Sequence, residues 1–341
     1  MPPPQTSRRP ARPTLSQVAS AAGVSEITAS RALRGTMAVA EDTRARVQAA
    51  AAALNYVPNR LAGALAGGPS RQIAVVVPSL SNIVFADVLK GLETRLDDAG
   101  YHLILGVSNY DAAREERLIG QLLAWRPAAI ILARAQSSPG TRQMLAQSGL
   151  PVVEIMDVDT PPVDMAVGLS HGAAGRAMAD FLIARGYRRF AYLGHDISTD
   201  PRAIARLEGF RTELAGRGLA LSHSLCMEGP STVPLGAQGM AALLAQTAPG
   251  GLAVYHSNDD MAVGAMFHCM GAGIAVPGAV ALAGFNGLDI GQALPQPLTS
   301  MTSNRTAIGA ASADLVLARL QGAETARITD LGFQLLAGAT S

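Results

Sequence analysis

Two hydrophobic rhythms divide the chain. Over residues 14–54 apolar positions recur at the helical period: Leu15, Val18, Ala19 and Ala22 share one face, and Gly23 supplies a stop where positive φ is needed. Ser25 can then cap a second helix whose Ala29, Ala32 and Leu33 face inward, and Val47, Ala50, Ala51 and Leu54 stripe a third. Ala40 stands where that third helix would normally carry a capping hydroxyl, so Glu41 and Asp42 must stabilise its first turn through the helix dipole. Two short helices joined by "AGV" make a helix-turn-helix, whose second helix enters the DNA major groove N-terminus first. A three-helix bundle that merely packs on a larger body fits the same spacing.

From Ile73 onward the rhythm changes. "IAVVVP" is apolar without a break, Phe85, Val88, Leu89, Leu92 and Leu96 stripe a helix, and "HLILGV" follows as a strand. "RLIGQLLAW", "AAIILA", "RQMLAQSG", "PVVEIM", "RFAYLG", "LAVYHS" and "VALAGF" carry the alternation on. Such alternation predicts right-handed βαβ units on parallel sheets covered by helices. The stretch is too long for one sheet, so two doubly wound lobes are expected, with a ligand at the strand C-ends between them. Those ends carry Ser79 to Phe85, Arg134, Asp157, the loop 195–206, Asn258–Asp259 and Asn286.

Composition sharpens this. With 341 residues, 49% of them hydrophobic, the chain can bury more than one core. The formal charge of +1 conceals a split: residues 1–60 hold eight arginines and three acids, hence +5, which leaves −4 for the rest. A small basic head on a mildly acidic body suggests that the head meets a polyanion. Two cysteines, Cys226 and Cys269, make neither a disulfide framework nor a metal set. "MPPPQTSRRPARP" has no secretory apolar core and no long uncharged apolar run follows, so a cytoplasmic protein without a membrane partner is expected.

The runs "TLSQVA", "AGVS" and "ASRAL", then "LNYVPN" and "NDDMAVGA", resemble the lactose-repressor family of bacterial transcription regulators over residues 14 to about 336. The resemblance implies an N-terminal all-α helix-turn-helix head and hinge helix. An α/β two-lobed body like that of periplasmic sugar-binding proteins, with parallel doubly wound sheets, would follow. Residues 1–13 would be a disordered basic tail, 14–58 the DNA-binding domain, 59–70 the hinge helix or linker, and 71–341 the effector-binding and dimerisation domain. One lobe would take residues 71–168 and 300–325, the other 171–297 and 328–341, with crossings near 168–172, 297–301 and 325–330. By the same resemblance the hinge folds only on the operator, and Leu65 wedges into the minor groove. Gly63, Gly67 and Gly68 agree, since each interior glycine costs a helix about 1 kcal/mol.

Base readout would fall to Glu26, Ile27 and Arg31: a cytosine amino group, a thymine methyl, and guanine or phosphate respectively. Ser25, Thr28 and Asn59 would hold the DNA backbone, and Thr14, Ser30, Arg60 and Ala62 complete the implied DNA contacts. In the body, Arg206 in "ARLEGF" and Asn258 in "SNDDMAVGA" match the family's effector contacts, while Asp157 and Asn286 would receive hydroxyls. Asn286 departs from the aspartate common at that position. "VPSLSNIVFADVLKGLE", "MAVGLSH", "GFNGLDIGQ" and "DLGFQL" are most similar to the gluconate-operon repressor branch, which implies an aldonic acid or its phosphate. Arg202 and Arg206 suit this, because cations four apart on one helical face can clamp a carboxylate.

"GLSHG", Gly168 to Gly172, fits the G-x-S-x-G nucleophile elbow, but the same residues fall on the first lobe crossing, where glycines serve turns. His171 directly follows Ser170 and cannot easily act as its base. A hydrolase using Ser170 and a transport-type sugar-binding protein are the alternatives. The expected protein is a regulator and no enzyme, without cofactor or metal. Its expected partners are operator double-stranded DNA, a sugar acid and a second copy of itself. His268 and Cys269 read as packing, and Trp125 as core or dimer surface.

Overall fold

Chain contacts separate two units, Met1–Pro69 and Ser70–Ser341. The computed structural model describes residues 13–33, 39–57, 70–133, 137–198 and 200–341. The tail, most of the hinge, and the candidates Asn59, Arg60, Ala62, Leu65 and Arg134 lie outside the described residues.

In the first unit, α1 (Leu15–Ala22) starts in a reciprocal cap. The Thr14 hydroxyl accepts from the Gln17 amide while the Gln17 side chain accepts from the Thr14 amide. It ends at Gly23 with φ 67°, a left-handed turn that sends α2 (Glu26–Leu33) off in a new direction. α3 (Glu41–Ala53) starts at Ala40 with no side-chain cap, so Glu41 and Asp42 serve its first turn. The core is Val18, Ala19, Ala22, Ala29, Ala32, Val39, Val47 and Ala51, and its many alanines let three short helices pack closely.

In the second unit two six-stranded sheets form. The first uses β1 (Gln72–Val77), β2 (His102–Val107), β3 (Ala129–Leu132), β4 (Val152–Ile155) and β5 (Met165–Gly168). The second uses β6 (Arg189–Gly194), β7 (Leu221–Cys226), β8 (Leu252–His256), β9 (Val280–Phe285) and β10 (Thr299–Thr302). Two late strands finish them. β11 (Ile328–Asp330) gives the first the order β11-β5-β4-β3-β1-β2, and β12 (Gln334–Leu336) gives the second the order β12-β10-β9-β8-β6-β7. All pairs are parallel except β10–β12. Strands inside a covered parallel sheet are buried on both faces, which is why β3 and β9 read as unbroken apolar runs and the edge strand β7 does not.

The helices are α4 (Ile83–Asp98), α5 (Ala112–Ala124), α6 (Pro139–Gln147), α7 (His171–Ala184), α8 (Pro201–Gly216), α9 (Val233–Gln246), α10 (Asp259–Gly271), the short α11 (Asp289–Gln292) and α12 (Arg305–Leu320). Among the described residues no helix is long and apolar enough to cross a membrane.

The structure moves two expected crossings. Residues 299–302 are a strand paired with β9, so the second crossing follows Thr302 and not 297–301. Ile328–Asp330 pairs with β5 in the first sheet, so the third lies between Asp330 and Gln334. The physical reason is burial of short polar stretches. Leu298 is fully buried in the second lobe, and the Thr299 amide donates to the Thr340 hydroxyl at 2.9 Å.

α7 and α8 pack backbone to backbone. A Cβ at Gly175 would meet the Arg206 carbonyl oxygen, and one at Gly209 would meet that of Gly172. Arg206 is therefore held against the start of α7, where His171 sits.

Candidate DNA-reading face and interlobe cleft

On the head, Ser25 caps α2: its hydroxyl accepts from the Thr28 amide at 3.2 Å and lies 2.9 Å from the Thr28 hydroxyl. Ala29 and Ala32 turn inward, which leaves Glu26, Ile27 and Arg31 exposed, and Ser30 and Thr28 half-buried. Ile27 is 66% exposed, an apolar side chain standing in water beside a carboxylate. The Thr14 hydroxyl is occupied by the cap of α1.

In the body the C-terminal ends of both sheets bring polar groups together. Arg206 is buried in the second turn of α8. Its Nη1 donates to His171 Nδ1 at 3.0 Å, its Nη2 to the Ser257 carbonyl oxygen at 2.9 Å, and its guanidinium lies 4.0 Å from the Phe285 ring centroid. His171 Nε2 is 2.7 Å from the Met156 carbonyl oxygen. A carbonyl only accepts and a guanidinium only donates, so the ring carries its proton on Nε2 and offers a bare Nδ1 to Arg206. The imidazole is neutral, and burial, with Arg206 and then Arg202 beside it, holds its pKa well below the ordinary range.

Arg202, also buried, pairs with Asp200 at 3.5 Å and lies over the Phe85 ring at 5.4 Å. Asp200 caps α8 by accepting from the Arg202 and Ala203 amides, at 3.1 and 3.2 Å. Burial alone would raise its pKa, but Arg202 and then Arg206 outweigh this and hold the carboxyl down at about 2. One half-buried carboxylate thus acts on two buried guanidinia, and Arg202 Nη1 and Arg206 Nε are left without a hydrogen-bond partner. His195, whose Nδ1 lies 2.9 Å from the Ser257 hydroxyl, is also held down by burial. Tyr110 follows Asn109 in a second left-handed conformation (φ 58° after 54°) and sets its hydroxyl 3.5 Å from Asn82 Nδ2.

The expected residues divide. Phe85, Arg202 and Arg206 come together around one charged cluster. Asn258 caps α10, its Oδ1 accepting from the Met261 amide at 3.2 Å and from the Ser231 hydroxyl at 2.7 Å, so its –NH2 end remains to donate. Asn286 is used through its backbone: at φ 124° its amide donates to Met301 and its carbonyl accepts from Arg305 and Thr302. Ser79 and Asp157 hold local turns, accepting from the amides of Asn82 and Asp159. Asp259 is an internal tie: fully buried and pushed up to about 6 by that burial, it accepts from the Ser300 hydroxyl at 2.6 Å and the Leu288 amide at 2.7 Å. Ser170 caps α7 through the Ala173 amide at 3.0 Å, and its neighbour His171 is committed to Arg206. Cys269 is buried, and Trp125 is 57% exposed.

His171 is weighed in the sequence only as a base for Ser170, His195 and Asp200 enter only as part of the cleft loop 195–206, and Ser257, Phe285 and Tyr110 are not singled out there. Asp200 had a readable signal, an aspartate just before a proline at a helix start. Shallow recesses of about 400 Å³ (Ala113, Glu116, Arg117, Met144) and about 480 Å³ (Ala21, Ala22, Arg46 and their neighbours) gather no comparable set of buried polar groups.

A helix-turn-helix head joined to a two-lobed α/β body with a charged cleft defines a DNA-binding regulator gated by a small molecule. Comparison with known proteins agrees. Residues 14–59 match the bacterial regulatory proteins of the lacI family, and residues 70–334 the periplasmic binding proteins and sugar binding domain of the LacI family. The chain belongs to the LacI family of bacterial regulatory proteins, and is a transcriptional regulator rather than an enzyme. It is similar to the HTH-type transcriptional regulator GntR of Escherichia coli, with 37% identity over 96% of this chain and 98% of that one. A LacI family transcriptional regulator from Silicibacter pomeroyi superposes with a TM-score of 0.90 at 40% identity, covering 96% of this chain and 98% of that one. The lac repressor dimer bound to operator and the anti-inducer ONPF superposes with a TM-score of 0.84 at 26% identity, covering 97% and 99%.

Proposed function

We propose that the protein is a cytoplasmic, homodimeric repressor whose hold on a pseudo-palindromic operator is released by a sugar acid, such as gluconate or a keto or phosphorylated derivative. Two heads, one per protomer, read half-sites through Glu26, Ile27 and Arg31. Arg202 and Arg206 clamp the acid's carboxylate, while Asn258, with Asp157 and Asn286 at the rims, reads its hydroxyls. Closure of the lobes on the acid shifts the hinge away from its DNA-bound form, which requires only the ligand's differential affinity for the two states, typically 1–3 kcal/mol.

The observation that carries this reading is a pair of buried guanidinia, Arg202 and Arg206, served by the single carboxylate of Asp200. Arg206 hydrogen-bonds neutral groups only (an imidazole and a carbonyl oxygen) and lies over an aromatic ring, while Asp200 pairs directly with Arg202, so an anion that reached the pair would lower the cost of burying two cations. Similarity to the GntR regulators supports the gluconate branch. The test is fluorescence anisotropy on promoter fragments with gluconate, 2-ketogluconate, 6-phosphogluconate or a neutral hexose added. At least one acid should weaken the complex and the hexose should not. Release by the hexose alone, or no DNA binding at all, defeats the reading.

A further inference from the structure

The second sheet carries two phenols where a covered parallel sheet favours aliphatic side chains. Tyr192 on β6 and Tyr255 on β8 are buried and face each other in register, with their rings 6.0 Å apart and edge to face. Phe210 of α8 stacks on Tyr255 at 4.7 Å. Arg206 stands one helical turn earlier, its Nη2 bonded to the Ser257 carbonyl just past the end of β8. The Tyr192 ring leans toward the same end of the sheet: a Cβ at Gly194, the last residue of β6, would lie 3.1 Å from its hydroxyl oxygen, so the missing side chain leaves it room. Among the described residues neither phenol oxygen completes a hydrogen bond, and neither does Arg206 Nε. Arg206 acts on both phenols, and its side chain is within hydrogen-bonding reach of the Tyr255 hydroxyl. Burial outweighs that cation and pushes the Tyr255 phenol up to about 12, so it is a neutral group that can accept as well as donate. A buried hydroxyl without a partner destabilises a fold, and phenylalanine would fill the same space without that penalty. Two such hydroxyls beneath a guanidinium with a spare donor point to a role other than packing.

We infer that Tyr255, backed by Tyr192, is a positioning residue for the cleft: its phenol oxygen accepts from Arg206 Nε as an anion binds the same guanidinium, and so fixes the plane in which the two meet. The inference rests on the sugar-acid reading above and adds to it a layer below the cleft floor. His171 and the Ser257 carbonyl hold the two terminal nitrogens of Arg206, which leaves the guanidinium free to tilt about the line between them. A third bond at Nε removes that tilt. The remaining Nη–H donors then meet a carboxylate in plane, the arrangement in which such a pair is strongest. Tyr192 touches no anion and acts only through its neighbour.

The test uses the full-length protein in isothermal titration calorimetry, with gluconate, 2-ketogluconate and 6-phosphogluconate as probes, and urea unfolding beside it. Tyr255→Phe is expected to bind each acid that the unaltered protein binds at least about tenfold more weakly, since a bond to a charged group is lost. Its urea midpoint should equal or exceed that of the unaltered protein, because the hydroxyl removed has no partner before the acid arrives. Tyr192→Phe should weaken the same acids about threefold, again without loss of stability. A merely structural hydroxyl would lower midpoint and affinity together. That result, or an affinity of Tyr255→Phe unchanged within about twofold, overturns the inference and leaves the sugar-acid reading standing. A larger loss in Tyr192→Phe than in Tyr255→Phe overturns the assignment to Tyr255. If none of the three acids binds the unaltered protein, the sugar-acid reading fails and this inference falls with it.

Discussion

The His171–Arg206 contact shows how much one side chain's neighbours decide. The groups hydrogen-bonded to the Arg206 guanidinium, an imidazole nitrogen and a carbonyl oxygen, are neutral, which is what the proposed anion site requires. On the head the matching residue is Ile27, whose exposure has no benefit in the free protein. If it packs on a base methyl, Ile27→Ala should weaken specific operator binding about fivefold, near 1 kcal/mol, and leave unfolding of the head within about 0.5 kcal/mol. Anisotropy titration and thermal unfolding read the two quantities separately. A loss of stability without loss of affinity would make Ile27 part of the fold. That Arg202 and Arg206 share one face of a helix was legible in the sequence because a four-residue spacing is a local property. His171 was not, because its role depends on a bond across 35 residues.

Among the elements, α7 and α8 form the mount for that bond. Gly175 lets the Arg206 backbone come to van der Waals contact, and any side chain there must push α8 outward. Gly175→Ala should therefore cost about 1–3 kcal/mol of stability in urea unfolding. Because α8 carries both guanidinia, it should also weaken acid binding in calorimetry by more than the stability loss alone explains. An affinity equal to that of the unaltered protein would mean that the helix pair packs without positioning the arginines. The apolar strands were legible from their unbroken runs, but β10 was not. "TSMT" looks like a loop until its hydroxyls are seen to be buried and bonded, as Ser300 is to Asp259. The second crossing moved for that reason, and "GLSHG" resolved into a turn whose serine is a helix cap.

At the scale of the whole body, one apolar cluster runs beneath both sheets, from Ile73 and Val75 to Tyr255 and Phe285. The lobes share a core, so a proton forced into either one is felt by both. Three histidines are buried as neutral rings: His171, His195 and His256, the last held down at about 4 by burial, with Nδ1 3.0 Å from the Ala283 carbonyl oxygen. Each takes a proton near pH 6.5 when unfolded but not when folded, so the unfolded state binds more protons and stability falls as pH descends through 6.5. For His256 alone the loss between pH 6.5 and 5 is about 2 kcal/mol. Asp259 acts in the opposite sense. With its carboxyl raised to about 6, the folded state holds the extra proton below that pH, which returns about 1 kcal/mol between pH 6 and 5. Asp200, held at about 2, contributes fully above the unfolded value near 3.8 and loses its contribution only below that, outside this window. Asp260, whose carboxyl burial also raises, acts in the same sense as Asp259; three imidazoles outweigh the two carboxylates, and urea unfolding should show lower stability at pH 5 than at pH 7. His256→Asn keeps a donor toward Ala283 without the titrating ring, and should flatten that difference by about 2 kcal/mol. An unchanged slope in the variant would assign the acid sensitivity to His171 and His195.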